Sequence, residues 1–461
     1  MFRVSLFLLC FMLSQLLWGQ ATIPLSSSAA VPGQAAPSQA APSVSTPSQA
    51  VPQATPSASP SADRPAATQI TLEQAISMAL ANSPAIKAAR TQIQQSQAQE
   101  ITANLRPNPT LSWDSQFVPV FSGDFSTDTL NNLQQFDIGV GYLFERGRKR
   151  QNRLQAARDQ TAVTAAQVAD TERTLVFNVA QQFISILLAN STLQFAIANL
   201  NSFQDTVTIS EQRYKAGDIS EGDFLKIKLQ LLQFQTDVSS ARVAKVQALG
   251  SLRQLIGYAS LPHAYDVVGE LDYQPLTAGL SDLQAKALAE RPDLQAAKKG
   301  VKAANSQISL AKADAKVDFN ASASYSHVSG ASSTSLFFNV PLPFFNRNQG
   351  EIARTKFALT QAELTARAAE DTVLTDVTNA YESASSNQDV VKLYLSGYLK
   401  QAQDSRDISQ YAYKGGAATL LDFLDAERSY RSTQLAYRQA VAAYMLSLEQ
   451  LRQAIGTRSL P

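Results

Sequence analysis

Two aspartates three residues apart, Asp422 and Asp425, follow a glycine-rich break at Gly415-Gly416. On a helix that spacing puts both carboxylates on one face. Such a pair can attract cations, repel anions or, with a shifted pKa, exchange protons. It is also the ordinary composition of a solvated helix face. An earlier aspartate, Asp223, stands in the same local context, but there the place of Asp425 is taken by Lys226. The 2 histidines, His263 and His327, have no second histidine or cysteine at metal-ligand spacing. They read as surface residues. There is no Gly-x-Ser-x-Gly, no phosphate-binding glycine loop and no paired-carboxylate signature. Neither an enzyme nor a cofactor or metal site is expected.

The aspartates belong to a unit that the chain contains twice. Tyr214-Lys215-Ala216-Gly217, Asp223-Phe224-Leu225 and Leu252-Arg253-Gln254-Leu255-Ile256-Gly257 form one set. Tyr413-Lys414-Gly415-Gly416, Asp422-Phe423-Leu424 and Leu451-Arg452-Gln453-Ala454-Ile455-Gly456 form the other, and all three pairs share one offset. Ala79-Leu80-Ala81 before Pro84 repeats as Ala287-Leu288-Ala289 before Pro292 at a slightly different offset, so the loops between differ in length. Two copies of a long unit argue for a pseudo-symmetric scaffold rather than a single pocket.

The elements that carry these motifs follow from periodicity. Each half opens with a short helix, 71–81 and 281–289, and a second one, 84–105 and 292–315. The period then switches to two. Leu111, Trp113 and Phe117 alternate with polar residues, as do Phe136, Ile138, Val140, Tyr142 and Phe144. The second half repeats this at Val317, Phe319, Ala321, Ala323 and Tyr325 and at Leu336, Phe338, Val340 and Leu342. The expected strands are 109–120, 135–144, 317–328 and 335–344. One apolar and one polar face suit a membrane barrel, and equally a soluble sandwich with one wet face. Four strands cannot close a barrel alone, so a barrel would need several chains.

The stretch after the strands favours the barrel. From Arg148 to Ala216 there is neither glycine nor proline, and from Glu351 to Lys414 only Gly397. A helix of about 65 residues spans roughly 100 Å, far more than a compact domain needs. Val176, Val179, Phe183, Ile186, Asn190, Leu193, Ile197 and Leu200 recur at alternating steps of three and four, which is coiled-coil spacing. Asn190 either fixes register in that seam or marks a solvated gap. Returning helices, 219–256 and 418–455, complete two long hairpins, 148–256 and 347–455.

The leader reads as a secretory signal over 1–21: Arg3, an apolar run from Val4 to Leu17, then small residues at Gly19-Gln20-Ala21. A signal anchor is the alternative. The 1 cysteine, Cys10, follows Leu9 rather than a small residue, which argues against lipid attachment, and the mature chain then has no thiol. Beyond the leader no run of 18 or more apolar residues predicts a membrane helix. The net charge of +1 falls to about zero without Arg3, which argues against nucleic acid as a partner. Residues 22–69 are rich in Ser, Ala, Pro and Gln and read as a disordered linker or spacer. The organisation is thus leader, linker, first repeat over 70–257, link over 258–279 and second repeat over 280–457.

Secretory leader, paired strands, long hairpins and duplication together resemble the TolC-like outer membrane efflux protein family, over about residues 70 to 457. The strand-to-helix junctions, Leu143-Phe144-Glu145-Arg146-Gly147-Arg148-Lys149-Arg150 and Leu342-Pro343-Phe344-Phe345-Asn346-Arg347-Asn348-Gln349-Gly350, are similar to those of its heavy-metal branch, which serves cobalt–zinc–cadmium-type RND pumps. The resemblance implies a mainly α fold with β strands. Three chains with four strands each would close one twelve-stranded outer-membrane barrel above an α-helical periplasmic tunnel. It implies an exit duct that works with a periplasmic adaptor and an inner-membrane transporter.

Carried over residue by residue, it makes Asp422 and Asp425 a carboxylate ring at the periplasmic entrance. Tyr413 and Asp223 match two members of a polar latch between hairpins, and the arginine of that latch is replaced by Ala418. The tips Gly217, Asp218, Ile219, Gly415, Gly416 and Ala417 match adaptor contacts, although glycine there also serves as an ordinary helix C-cap. A multidrug or type I secretion duct of the same fold, or a soluble periplasmic coiled-coil protein, are the alternatives.

Overall fold

The computed structural model describes residues 68–116, 128 and 135–459. The leader and nearly all of the expected linker lie outside them, as do residues 117–120 of the first expected strand. In chain order the elements are β1 (Thr68–Ile70), α1 (Leu72–Asn82), α2 (Pro84–Ala103), β2 (Thr110–Gln116), β3 (Gln135–Phe144), α3 (Lys149–Ala216), α4 (Glu221–Ile256), β4 (Tyr265–Val267), α5 (Leu280–Glu290), α6 (Pro292–Asp314), β5 (Phe319–Val328), β6 (Ala331–Asn339), α7 (Gln349–Leu393), α8 (Leu399–Lys414) and α9 (Leu420–Ile455).

Four strands make one antiparallel sheet in the order β2-β3-β5-β6. Its register aligns the alternating residues across all four strands. Trp113 lies opposite Ile138, Ile138 opposite Tyr325, Val140 opposite Ala323, and Ala323 opposite Leu336. Leu111, Trp113, Val140, Leu336 and Phe338 are exposed. They form an apolar face that none of the described residues covers. The other face carries Ser112, Asp114, Asp137, Ser322, Ser324 and Ser335 in matching register. One greasy and one wet face is the requirement of a wall between lipid and water.

The fourth strand departs from the expectation of 335–344. It begins at Ala331 and ends at Asn339. Pro341 and Pro343 have no amide hydrogen to donate, so the ladder cannot continue, and Val340 and Leu342 are not in the strand. The linker also ends sooner than expected. Thr68–Ile70 pairs in parallel with Tyr265–Val267 of the inter-repeat link, a contact with no periodic signal.

The first hairpin is continuous. Helix α3 runs 68 residues, about 100 Å at the ordinary rise. By composition it contains a window apolar enough to cross a bilayer, yet Val179, Phe183, Ile186 and Leu187 are buried against α1, α4 and the β1–β4 pair. The heptad stripe is thus wider than a two-helix seam. Asn190 is half-buried, and its Nδ2 donates to Asp266 in β4 at 3.2 Å. Burial raises the Asp266 carboxyl, but Lys245 at 2.5 Å, the Val267 amide and Asn190 more than offset this and hold it below the usual range.

The second hairpin is not continuous. A π turn, Tyr394–Tyr398, separates α7 from α8, and Gly397 there has φ 135°, a conformation open only to glycine. Helices α3, α6 and α7 pack side by side, and α9 packs on α3, α7 and α8, so the two hairpins form one layer.

The duplication is visible in the core. Leu252 and Ile256 of one half, Leu451 and Ile455 of the other, are all 0 % exposed. Each half joins its short helices at a residue before proline. In the first half it is Ser83, in the second Arg291, both buried. Arg291 binds Asp293 at 2.5 Å, Asp376 at 2.9 Å and the Ala454 carbonyl at 3.3 Å. One guanidinium therefore ties α6, α7 and the end of α9. Replacing Arg291 with alanine should cost about 3 kcal/mol, because Asp376 is left unpaired and Asp293 keeps only Arg173 at 3.7 Å. The temperature at which helical circular dichroism is lost should fall by about 4 °C; an unchanged midpoint would show that the clip contributes little.

Candidate functional site

The far ends of the two hairpins meet in one cluster. Phe203, Ile227, Phe234, Tyr413, Leu420 and Phe423 are buried together. The rings of Phe203 and Phe234 stack at 4.5 Å, and those of Tyr413 and Phe423 at 5.3 Å. Each turn next to this cluster is built the same way. In the first, the Asp218 amide donates to the Arg213 carbonyl (2.9 Å) and the Gly217 amide to Tyr214 (3.0 Å). In the second, Ala417 donates to Ala412 (2.8 Å) and Gly416 to Tyr413 (3.1 Å). Both are Schellman caps, with Gly217 at φ 85° and Gly416 at φ 77°. Gly415 itself stays in the helical region. Gly217, Asp218, Gly415, Gly416 and Ala417 are exposed, whereas Ile219 is half-buried.

The returning helices start at Ser220 and Thr419, and each cap recruits an aspartate. Thr419 Oγ1 donates to Asp422 Oδ2 at 2.7 Å and accepts from the Asp422 amide at 3.2 Å. The Thr419 amide in turn donates to Asp422 Oδ2 at 3.3 Å, which with the Asp422 amide bond completes a capping box. Ser220 Oγ donates to Asp223 at 2.9 Å, and Lys226 Nζ donates to its other oxygen at 3.1 Å. Those two bonds, Lys226 first, hold the Asp223 carboxyl below the usual range. Asp425 is exposed and, among the described residues, has no hydrogen-bond or ion-pair partner. Asp422 and Asp425 do share an exposed face, opposite Phe423. They differ in duty: one caps the helix and the other is free.

Tyr413 stands apart from these aspartates. It is 3 % exposed, its hydroxyl lies 3.5 Å from Ser210 Oγ, and its carbonyl accepts from Arg213 Nη1 at 2.7 Å. The Arg213 guanidinium lies over its ring. Arg213 thus joins one hairpin tip to the other. The sequence carries no signal of it, because its partner is two hundred residues away. The duplicated pair Tyr214 and Phe224 also stacks, at 5.0 Å, but Tyr214 is exposed.

A second residue missed from the sequence is Glu427, one turn beyond Phe423 on the buried face of α9. It is 7 % exposed. Burial pushes its carboxyl up, against the opposing pull of Arg406 on α8 and Arg431 on its own helix; Asp407 adds to the rise. Arg431 is itself paired with Asp237 on α4 and lies over Phe234. A heptad stripe drawn through Leu420 and Phe423 would have reached Glu427. His263 is exposed, and His327 bonds to Ser332 in the neighbouring strand, at 3.2 Å.

An apolar-out sheet set on two hairpins, with tips capped alike, is the arrangement that a family model for outer membrane efflux proteins describes, and that model matches residues 75–258 and 283–457. This chain belongs to the outer membrane efflux protein family. It is an outer-membrane channel component of efflux systems, its helices reaching into the periplasm. The cation efflux system protein CusC of Escherichia coli is 26 % identical over 378 residues, covering 78 % of this chain and 80 % of CusC. A crystal structure of CusC superposes with a TM-score of 0.70 at 21 % identity, over 84 % of this chain and 92 % of that one. The cobalt-zinc-cadmium resistance protein CzcC of Cupriavidus metallidurans is 24 % identical, over 81 % of this chain and 87 % of CzcC. The pyoverdine export outer membrane protein OpmQ of Pseudomonas aeruginosa is 26 % identical, over 84 % of this chain and 83 % of OpmQ.

The raised Glu427 carboxyl gives a pH signature to the tip. An acid whose folded pKa is raised contributes stability below its unfolded value of 4.5 and loses it as pH rises through the folded value. The contribution of Glu427 to thermal stability should therefore decline from pH 4.5 upward. Glu427→Gln should remove that part of the decline and be the more stable protein at pH 7. Parallel melting curves for the two proteins would contradict this placement of the charge.

Proposed function

We propose that this chain forms a homotrimeric exit duct for heavy-metal cations, passive and without chemistry of its own, coupled through a periplasmic adaptor to an inner-membrane RND-type transporter. The observation that carries the duct is the register of the sheet. Four strands share one apolar face, and both outer strands, β2 and β6, have no partner on their outer edges among the described residues. In lipid those edges must be paired by other copies. A second surface supports the same assembly. Leu225, Leu229, Leu232, Val243 and Val246 on α4 are exposed at heptad spacing, and the occupant fitting such a stripe is a helix of the next copy.

At the entrance, Asp425 and the outer oxygens of Asp422 supply the charge. Three copies would bring six carboxylates to a narrow mouth, attracting cations and repelling anions. Asp223 and Tyr413 would act differently. Asp223 is neutralised by Lys226 at its own tip, and Tyr413 holds the two hairpins of one chain together through Arg213 and Ser210. The exposed turn residues Gly217, Asp218, Gly415, Gly416 and Ala417, with Ile219 beside them, are the surface offered to the adaptor. The metal cargo is supported by the likeness to CusC and CzcC. Organic cargo is the second reading, supported by OpmQ at equal identity.

Two experiments separate these. Asp422→Ala with Asp425→Ala should raise single-channel conductance or weaken cation preference in a planar bilayer; unchanged values would remove both residues from the entrance. A strain lacking the gene should lose resistance to zinc, cobalt, cadmium, copper or silver while keeping its tolerance of dyes, detergents and antibiotics. The opposite pattern would make the cargo organic.

A further inference from the structure

Where the sheet gives way to the first hairpin, basic residues gather. Arg106 precedes β2, and Arg146, Arg148, Lys149 and Arg150 follow β3. Two of the three acidic groups nearby are engaged, and the third, Asp314, feels the charge of Lys149 and Arg153. Glu145 is paired with Arg153. Asp318 accepts from Lys149 Nζ at 2.6 Å and from the Arg146 amide at 2.8 Å. Among the described residues, the side chains of Arg106, Arg148 and Arg150 have no ion pair or hydrogen bond. All three line one cavity of about 240 Å³, together with Tyr142, Leu143 and Phe144 and the paired Glu145 and Lys149.

The register says which side of the wall this cavity is on. Tyr142 lies opposite Ala321 and Phe144 opposite Phe319, in the row that continues through Val140 and Ile138 to Trp113. That row is the lipid face. The helices leave toward the periplasm, so the cavity sits at the lipid-side foot of the barrel, level with the inner leaflet's headgroups. Its geometry is fixed by the turn. Gly147 has φ 70°, and a Cβ there would lie 2.6 Å from Lys316 Cγ, so only glycine fits. Arg148 follows, also left-handed at φ 58°.

The second junction acts as an internal contrast. Its one arginine, Arg347, is tied back to the Pro343 carbonyl at 3.3 Å, and Arg354 is paired with Glu351 at 2.6 Å. The duplicated chain therefore carries this cluster once.

We propose that Arg106, Arg148 and Arg150 hold the phosphate of an anionic glycerophospholipid from the periplasm-facing leaflet, with Tyr142 and Phe144 against its glycerol and upper acyl carbons. Guanidinium groups match phosphate oxygens in planar, charge-assisted pairs. Basic residues beside a bilayer concentrate anionic headgroups, and aromatic rings sit at that same level. Glu145 and Asp318 are taken up by Arg153 and Lys149, and Asp314 alone does not balance three free guanidinium groups, so a net-anionic headgroup fits better than a zwitterionic one.

The test is native mass spectrometry of the purified full-length protein, supplied in detergent with phosphatidylglycerol or phosphatidylcholine at equal concentration. The wild type should retain phosphatidylglycerol at up to one molecule per chain, at least tenfold above phosphatidylcholine. The triple variant Arg106→Gln, Arg148→Gln, Arg150→Gln should lose at least tenfold of that retention, and the triple arginine-to-lysine variant should recover part of it. The oligomer mass in the same spectrum reports folding, and Arg150→Gln alone serves if the triple variant does not assemble. Equal retention by wild type and variant, or equal retention of the two lipids, overturns the proposal. Displacement of phosphatidylglycerol by millimolar inorganic phosphate would assign the cavity to a free anion and overturn the lipid.

Discussion

The rest of the structure depends on one constraint, that a backbone polar group facing lipid must find its hydrogen bond in protein. This chain brings four strands to the membrane and satisfies only the three inner interfaces. The outer edges of β2 and β6 are left with a row of donors and acceptors that lipid cannot meet. Other strands must therefore meet them, and the hairpins hanging from the sheet must then stand side by side in register. The width of the wall and the length of the helices are two expressions of the same requirement.

Duplication supplies this architecture economically, and divergence between the copies supplies its asymmetry. The same tyrosine–phenylalanine stack forms twice, once at the surface through Tyr214 and once inside through Tyr413. The same pre-proline corner is closed by a small hydroxyl residue, Ser83, in one half and by a buried guanidinium, Arg291, in the other. At the tips, Lys226 and Asp425 occupy equivalent positions with opposite charge. Symmetry sets where the elements go, and the differences determine which hairpin is anchored and which presents charge.

Much of this was legible in the sequence, for reasons that can be named. Alternation over ten residues in β3 and β5 and the absence of glycine and proline in α3 are long-range, redundant signals. The β1–β4 pair was not legible, because three residues on each side carry no period. The end of β6 was misplaced because alternation continued through Pro341 and Pro343, where the missing donors outweigh the hydrophobic pattern. At the tip, the caps and the aspartates could be read from local motifs. Arg213 could not, since its contact with the Tyr413 carbonyl depends on two distant turns meeting. Glu427 was readable in principle as a charge on an apolar stripe, and the raised carboxyl follows from that placement alone.

Gly397 divides the outer helix of one hairpin and has no counterpart in the other, where Ala198 continues an unbroken helix. Below it, α8 runs 16 residues to the tip, an arm of about 24 Å at the ordinary helical rise. A joint at the top of such an arm works as a lever: a ten-degree change in bend would sweep the free end sideways by about 4 Å over that length. That is more than the diameter of a water molecule, from the rotation of one residue already outside the helical region. The first hairpin, with no such joint, would stay still as a stator against which the other turns.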